Sequence, residues 1–275
     1  MKFSTEILTL FATTLIAVAA HAQTALVGNG SSFTNIFAPA DTETHSVSGG
    51  GLLSLHLDNS TASKTSGIWN LAAQGGANIS LFGFGLVESD AQTQLTGTSL
   101  KFNVTNDANS LLGSLGVGTS LHYGWQATAD FGSLTYTPFT TYHLSFDVDG
   151  NNGLLSSIAG VTPTFQFELV DGAGNPLTSN GSGALINVAG LLGTGVTSGT
   201  VSVDYTVAGS VPTGDLGLRF IVGATIGATA LGIGNDFATI TNVNLTASPV
   251  PEPGSGFLVG ALGTVIIMRR RRTLA

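Results

Sequence analysis

Thr140-Thr141-Tyr142-His143-Leu144-Ser145-Phe146-Asp147-Val148-Asp149, followed at once by Gly150-Asn151-Asn152-Gly153, decides how the rest of the chain is read. Side chains of an extended chain alternate between two faces. Tyr142, Leu144, Phe146 and Val148 therefore share one side, and His143, Ser145 and Asp147 the other. A helix would scatter the same four apolar residues around its circumference. The Asp, Asn and Gly residues that follow favour a turn, so the segment reads as a half-buried strand that ends in one.

The same rhythm recurs on both sides of it. Leu53, Leu55 and Leu57 alternate with Ser54 and His56, and Leu100, Phe102 and Val104 with Lys101 and Asn103. Leu121, Tyr123, Trp125 and Ala127 share a face, as do Phe165, Phe167 and Leu169. Val201, Val203, Tyr205 and Val207 form another set, then Leu216, Leu218, Phe220 and Val222, and finally Val243 and Leu245. Turn signals lie at Asp171-Gly172-Ala173-Gly174-Asn175-Pro176 and Pro212-Thr213-Gly214-Asp215. No stretch between residues 23 and 247 carries capped helical periodicity. The expectation is an all-β, two-sheet β-sandwich of jelly-roll type. A β-solenoid is the rival, but the fixed repeat period it needs is missing. Residues 111–121, 184–199 and 222–234 are mixtures of Leu, Val, Ala, Gly, Thr and Ser, read as loops or irregular edge strands. No Pro-rich or charged linker divides 23–140 from 141–247, so a single sandwich is expected.

Both ends of the chain differ from this body. Lys2, the apolar run Ile7–Ala20 and Ala20-His21-Ala22 have the n-region, h-region and A-x-A form of a secretory signal peptide, cleaved after Ala22. At the other end, Pro251-Glu252-Pro253 precedes the fifteen uncharged residues Gly254–Met268, and Arg269-Arg270-Arg271-Arg272 follow. At about 1.5 Å per residue a helix over that run spans roughly 22 Å, short of the ~30 Å hydrocarbon core. Snorkelling arginine stems make up part of the difference. Four arginines place the C-terminus in the cytoplasm and the body outside. Pro251 and Pro253 fix two φ angles and disfavour helix before them, which displays Glu252 on an extended segment. A buried core helix would be amphipathic, and this one is apolar all round.

Excluding both ends leaves three cations, Lys64, Lys101 and Arg219, against fourteen Asp and Glu in residues 23–250, a formal charge of −11; for the whole chain it is −8. Such a surface argues against nucleic acid and anionic membranes as partners of the body. The chain has no cysteine. Thiol catalysis and Cys-ligated zinc are excluded, and stability outside the cell must come from packing.

The order tripeptide, apolar run, arginine cluster resembles the PEP-CTERM sorting tail of Gram-negative bacteria. One departure is Gly254, where that family more often has Ser or Thr. The resemblance implies recognition and processing by the membrane protease exosortase, with Pro251, Glu252, Pro253 and Arg269–Arg272 as the signal. It also implies transient residence in the inner membrane and a destination at the cell surface or in exopolysaccharide. The implied organisation is a signal peptide (1–22), a β-sandwich body (23–247), a linker holding the tripeptide (248–253), a short transmembrane helix (254–268) and a basic cytoplasmic tail (269–275). The order of strands from Thr141 to Ala247, closing on Asp236-Phe237-Ala238-Thr239-Ile240-Thr241-Asn242-Val243-Asn244-Leu245, is similar to that of galactose-binding-like jelly rolls, many of which are carbohydrate-binding modules.

Chemistry-bearing motifs are sparse. No G-x-S-x-G, Ser-x-x-Lys or Walker loop occurs, and the histidines of the body, His45, His56, His122 and His143, are isolated in sequence. Glu88/Asp90 and Glu168/Asp171 are the carboxylate pairs available for glycoside hydrolysis, but acidic residues near turns are common. Asp147, Asp149 and Asn151 alternate oxygen ligands ahead of a turn, as calcium requires, yet lack the remaining ligands of an EF-hand loop. No catalytic residue, metal or cofactor is expected. Trp69, Tyr123, Trp125 and Tyr142 carry rings that stack on sugars when they face solvent and fill a core when they do not. Of these, Trp69 and Tyr123 are the ligand-binding candidates. The expectation is a non-enzymatic surface or matrix protein; a carbohydrate-binding module is the alternative and a glycoside hydrolase the third reading.

Overall fold

The computed structural model describes residues 23–47, 53–82, 84–105, 120–150, 161–179, 182–183, 198–227 and 236–250. They hold fourteen strands and no helix. In chain order these are β1 (Thr24–Val27), β2 (Asp41–His45), β3 (Leu53–Ser66), β4 (Trp69–Leu81), β5 (Phe84–Leu95), β6 (Leu100–Val104) and β7 (Ser120–Thr135). They continue as β8 (Thr140–Asp149), β9 (Val161–Val170), β10 (Thr178–Ser179), β11 (Ser182–Gly183), β12 (Ser198–Val207), β13 (Asp215–Gly227) and β14 (Asp236–Pro249). The all-β expectation holds. Every strand of the alternation described above is present, with β8 covering the stretch first quoted.

Twelve strands form one antiparallel sheet in the order β12-β8-β14-β6-β5-β4-β7-β13-β9, with β1 beside β14, β2 beside β5 and β3 beside β4. β10 and β11 make a separate two-residue ladder. The sheet curls until its far parts touch. Phe146 of β8 meets Phe167 of β9 and Phe220 of β13 edge-on, with ring centroids 4.8 and 5.1 Å apart. In a flat sheet those strands would stand many strand widths apart. Closure of this kind brings residues of β4 to β9 and β12 to β14 into one buried apolar cluster that runs from Val27 to Leu245. In β8 the burial alternates as its sequence requires, with Tyr142, Leu144, Phe146 and Val148 each about 1% exposed. Complete burial of a side chain of this size contributes roughly 1.5–3 kcal/mol.

Two strands change partner along their length and so turn the corner. β4 pairs with β7 through residues 69–74 and with β5 through residues 76–81. β5 pairs with β4 up to Asp90, then with β2 and β6 from Ala91 onward. Gly75 stands at the switch in β4 with φ of +89°, and a Cβ there would lie 2.0 Å from the carbonyl oxygen of His122. No side chain fits that approach. At the matching corner of β5, Asp90 accepts a hydrogen bond from Val47 N, while Asn78 donates to Val47 O.

One expectation needs correction. Val222–Gly227 is neither a loop nor an edge. It extends β13, which is hydrogen-bonded to β7 as far as Gly227 on one side and to β9 as far as Ile226 on the other. Small residues suit a strand whose neighbours press close: Gly223 faces Thr164, whose Oγ1 would sit 2.7 Å from an added Cβ. Residues 1–22 and 251–275, with the signal-peptide residues Ala20 and Ala22 and the sorting residues Pro251, Glu252, Pro253 and Arg269–Arg272, lie outside the described residues.

Candidate functional site

The aromatic candidates go inward. Trp69 is fully buried, stacked between Phe37 and Phe220, and its Nε1 donates to Ile36 O at 2.5 Å. Tyr123 is 4% exposed and stacks on Trp125 at 5.9 Å. Trp125 in turn donates from Nε1 to Asn103 O. Assigning Trp69 and Tyr123 to ligand binding is therefore corrected: stacking on a sugar needs a face open to water, and neighbouring rings take theirs. Tyr142 is likewise buried, edge-on to Tyr136, whose hydroxyl donates to Val170 O. Burial pushes the Tyr136 phenol up, and Tyr205 and Tyr142 nearby add to the shift.

The carboxylates serve structure. Glu168 is 5% exposed and forms an ion pair with Arg219, which also donates to Gly174 O at 2.8 Å. Asp171 caps the turn after β9, accepting from Ala173 N, Asn175 N and Asn175 Nδ2, and Asn175 holds its carboxyl below the usual range. Asp147 accepts from Thr200 Oγ1 at 2.5 Å and from Asn242 Nδ2 at 2.6 Å, and these bonds, Asn242 first, lower its pKa. Both of its oxygens are thus engaged on the outer face of β8, whereas Asn151 lies outside the described residues. Among the described residues no three His, Asp or Glu side chains gather as metal ligands would. The side chain of Glu88 is likewise not described.

Of the histidines, His143 pairs with Asp204 across β8 and β12, and His122 is exposed. His45 is buried, with Nε2 2.7 Å from Ser60 Oγ. Asp58 lies close by, but its carboxylate contacts Ser60 N and Oγ, not the second ring nitrogen of His45. Nδ1 of His45 has no partner among the described residues. A catalytic triad puts the acid on that nitrogen to orient the ring, so this group holds a bulge of β3 and is not built as a nucleophile.

A cleft of about 510 Å³ opens between the segment joining β1 to β2, the β5–β6 turn and the middle of β14. Asn29, Asn35, Asn242 and Asn244 line it, with Phe33 and Phe37 as its apolar surface and Thr34 and Thr98 at its rim. None of its described lining residues is charged. Local backbone chemistry shapes it. A register shift between Thr241 and Asn244 takes Asn242 and Val243 out of the ladders to β8, β6 and β1, and Asn242 adopts a φ of +52°. Bulges and left-handed non-glycine residues are features that cluster where a chain is re-aimed for binding. Opposite it, Gly28 at φ +96° leaves room that a Cβ would close, since that atom would lie 2.9 Å from Asn244 Oδ1. Asn35 is fixed by its own bonds, Nδ2 to Gly97 O and Oδ1 from Phe37 N. Asn29 and Asn244 make no side-chain hydrogen bond to any described residue. In sequence Asn29 and Asn244 marked only two of six Asn-x-Ser/Thr triplets, which arise readily in a chain so rich in these residues, and nothing there pointed to a shared cleft.

No family model and no curated protein matches this chain. Among solved structures it is similar to a cyclase from Fischerella sp. TAU, 15% identical with a TM-score of 0.34, over 84% of this chain and 100% of that one. It is similar to the enzymatically active domain of tailspike protein 4 of Bacteriophage CBA120, 11% identical with a TM-score of 0.31, over 81% of this chain and 21% of that one. A family 11 carbohydrate-binding module from Clostridium thermocellum, in complex with a β-1,3-1,4-mixed-linked tetrasaccharide, is 9% identical with a TM-score of 0.26, over 85% of this chain and 100% of that one. Likenesses this distant assign neither activity nor ligand.

A second cavity, about 470 Å³, lies beside Trp69 and Asn70 and the turn at Asp171–Gly174. Its two carboxylates, Asp130 and Asp171, accept from amides of Gly132 and of the β9 turn, so they serve the loops that carry them.

Proposed function

We propose that this chain is an exported bacterial surface or extracellular-matrix protein without a catalytic task. Residues 1–22 deliver it and residues 251–275 hold it in the inner membrane until exosortase processes it near Pro251-Glu252-Pro253. The observation that carries this reading is where the body's two ends lie. Thr24 pairs with Ala247 and Ala25 with Thr246, and the side chain of Gln23 bonds to Thr246. The N-terminal and C-terminal segments thus leave the sheet side by side. That arrangement suits a body exported through one membrane and then held at it by its C-terminal tail. The strong acidity of residues 23–250 supports a solvated destination away from anionic lipid.

The body is proposed to be a jelly-roll-like sandwich, which the curled sheet and single core support. A carbohydrate-binding role is the second reading, favoured by the uncharged, amide-lined cleft. The hydrolase reading is disfavoured, because Glu168 and Asp171 are each held by structural partners. In a host that carries exosortase, the full chain should appear as a shortened, released form. Glu252→Ala, or deletion of residues 251–253, should leave the tail attached and the chain in the inner membrane fraction. A variant still cut at the normal position would sink the proposal.

A further inference from the structure

The cleft beside the β14 bulge has the chemistry of a particular ligand class. An ion would find no opposite charge among its described lining residues, and stripping its water without one is costly. An apolar ligand would bury the amides of Asn29 and Asn244 without a partner, which is costly. A neutral molecule dense in groups that both donate and accept answers both objections. Each amide offers an acceptor oxygen and a donor nitrogen in one plane, and a sugar hydroxyl is donor and acceptor at once. Phe33, half-buried and edge-on to Phe131, adds an apolar patch for the C–H face of a sugar ring. At about 510 Å³ the cleft is of the size small ligands occupy.

We propose that this cleft binds a neutral polysaccharide, with Asn29, Asn242 and Asn244 reading its hydroxyls and Gly28 keeping the floor open. Asn242 is aimed by its bond to Asp147, which leaves its Oδ1 to accept. Asn35, already committed to Gly97 and Phe37, holds the wall and touches no ligand. A peptide is the less suitable occupant, because extended peptides dock on sheet edges with pockets for alternate side chains, and this lining presents amides instead. The proposal deepens the carbohydrate-binding reading and rests on it, but not on the sorting tail.

The test uses the full chain, purified in detergent, in native gels cast with dextran, a linear β-1,3-glucan or galactomannan, and with alginate as the anionic comparison. At least one neutral polysaccharide should retard the protein, equally in low salt and at about 0.5 M salt, where charge attraction is screened. Asn29→Ala with Asn244→Ala should weaken that retardation about tenfold or more while the thermal midpoint stays in place. Asn29→Ala alone, at an exposed turn, should weaken it too, and it covers the case in which the double variant unfolds. The proposal is overturned if no neutral polysaccharide retards the chain, or if only alginate does and salt abolishes it. Retardation that survives both variants, or capture by an immobilised peptide library and not by the glycans, overturns it as well. C-terminal processing is scored separately, so a processed chain that binds nothing removes the cleft and spares the sorting reading.

Discussion

Arg219 neutralises a carboxylate that has almost no contact with water. Glu168 projects from β9 and Arg219 from the paired position of β13, and the guanidinium also reaches the turn at Gly174. Removing one member of a buried pair leaves the other charged and unpaired, which costs about 3–5 kcal/mol. Arg219→Met should therefore lower the urea midpoint strongly, and adding Glu168→Leu should recover most of the loss. A single variant as stable as the parent would show that the pair contributes nothing. Sequence alone offered Glu168 as a possible acid or base, because its partner lies 51 positions away and only the register of two strands reveals it. The hydrogen bond from Lys64, with the nearby Ser66 and a further bond from Thr42 N adding to it, holds Asp41 down to about 2. A folded pKa below the unfolded value of about 3.9 means that the stabilisation is complete above that value. It is lost as pH falls towards the folded value. Thermal midpoints should thus decline between about pH 4 and pH 2, and more shallowly in Asp41→Asn. Identical slopes would refute the assignment.

Among the elements, β4 carries the most consequence for the least sequence signal. Trp69-Asn70-Leu71-Ala72-Ala73-Gln74-Gly75-Gly76-Ala77 hides its alternation in alanine and glycine, whereas β8 announces its own with Tyr, Leu, Phe and Val. The difference is physical. Large residues advertise a face by their size, but a strand at a corner needs small ones to let backbones approach. Gly75→Ala should cost about 2–5 kcal/mol, from left-handed strain together with a clash against His122 O. An unchanged urea midpoint would mean that β4 does not need this approach to change partners. Val222–Gly227 follows the same logic. It looked like a loop because Gly and Thr are turn formers, yet both of its neighbours are strands.

For the molecule as a whole, the all-β class was legible in alternation and turns, but the order of strands was not. Pairings such as β1 with β14 join the two ends of the body, and no local pattern encodes them. The cleft is a product of that same closure. Its walls come from the segment at residues 28–37, from 97–98 and from 242–244, and nothing local in the sequence marks them as one site. The aromatic rings drew attention in the sequence because they are large, and for the same reason the fold claimed them for its interior. The asparagines that remain outside are common residues, and only their convergence marks them.

β14 has a mechanical consequence. It lies inside the sheet, bonded to β8 on one flank and to β6 and then β1 on the other, and it is the strand that continues into the tail. Tension on the C-terminus therefore runs along β14 and loads the ladders on both flanks in shear, many hydrogen bonds at once, where a strand at an edge would unzip them one by one. Drag on the body while the tail is still held would be borne by the best-connected strand of the fold.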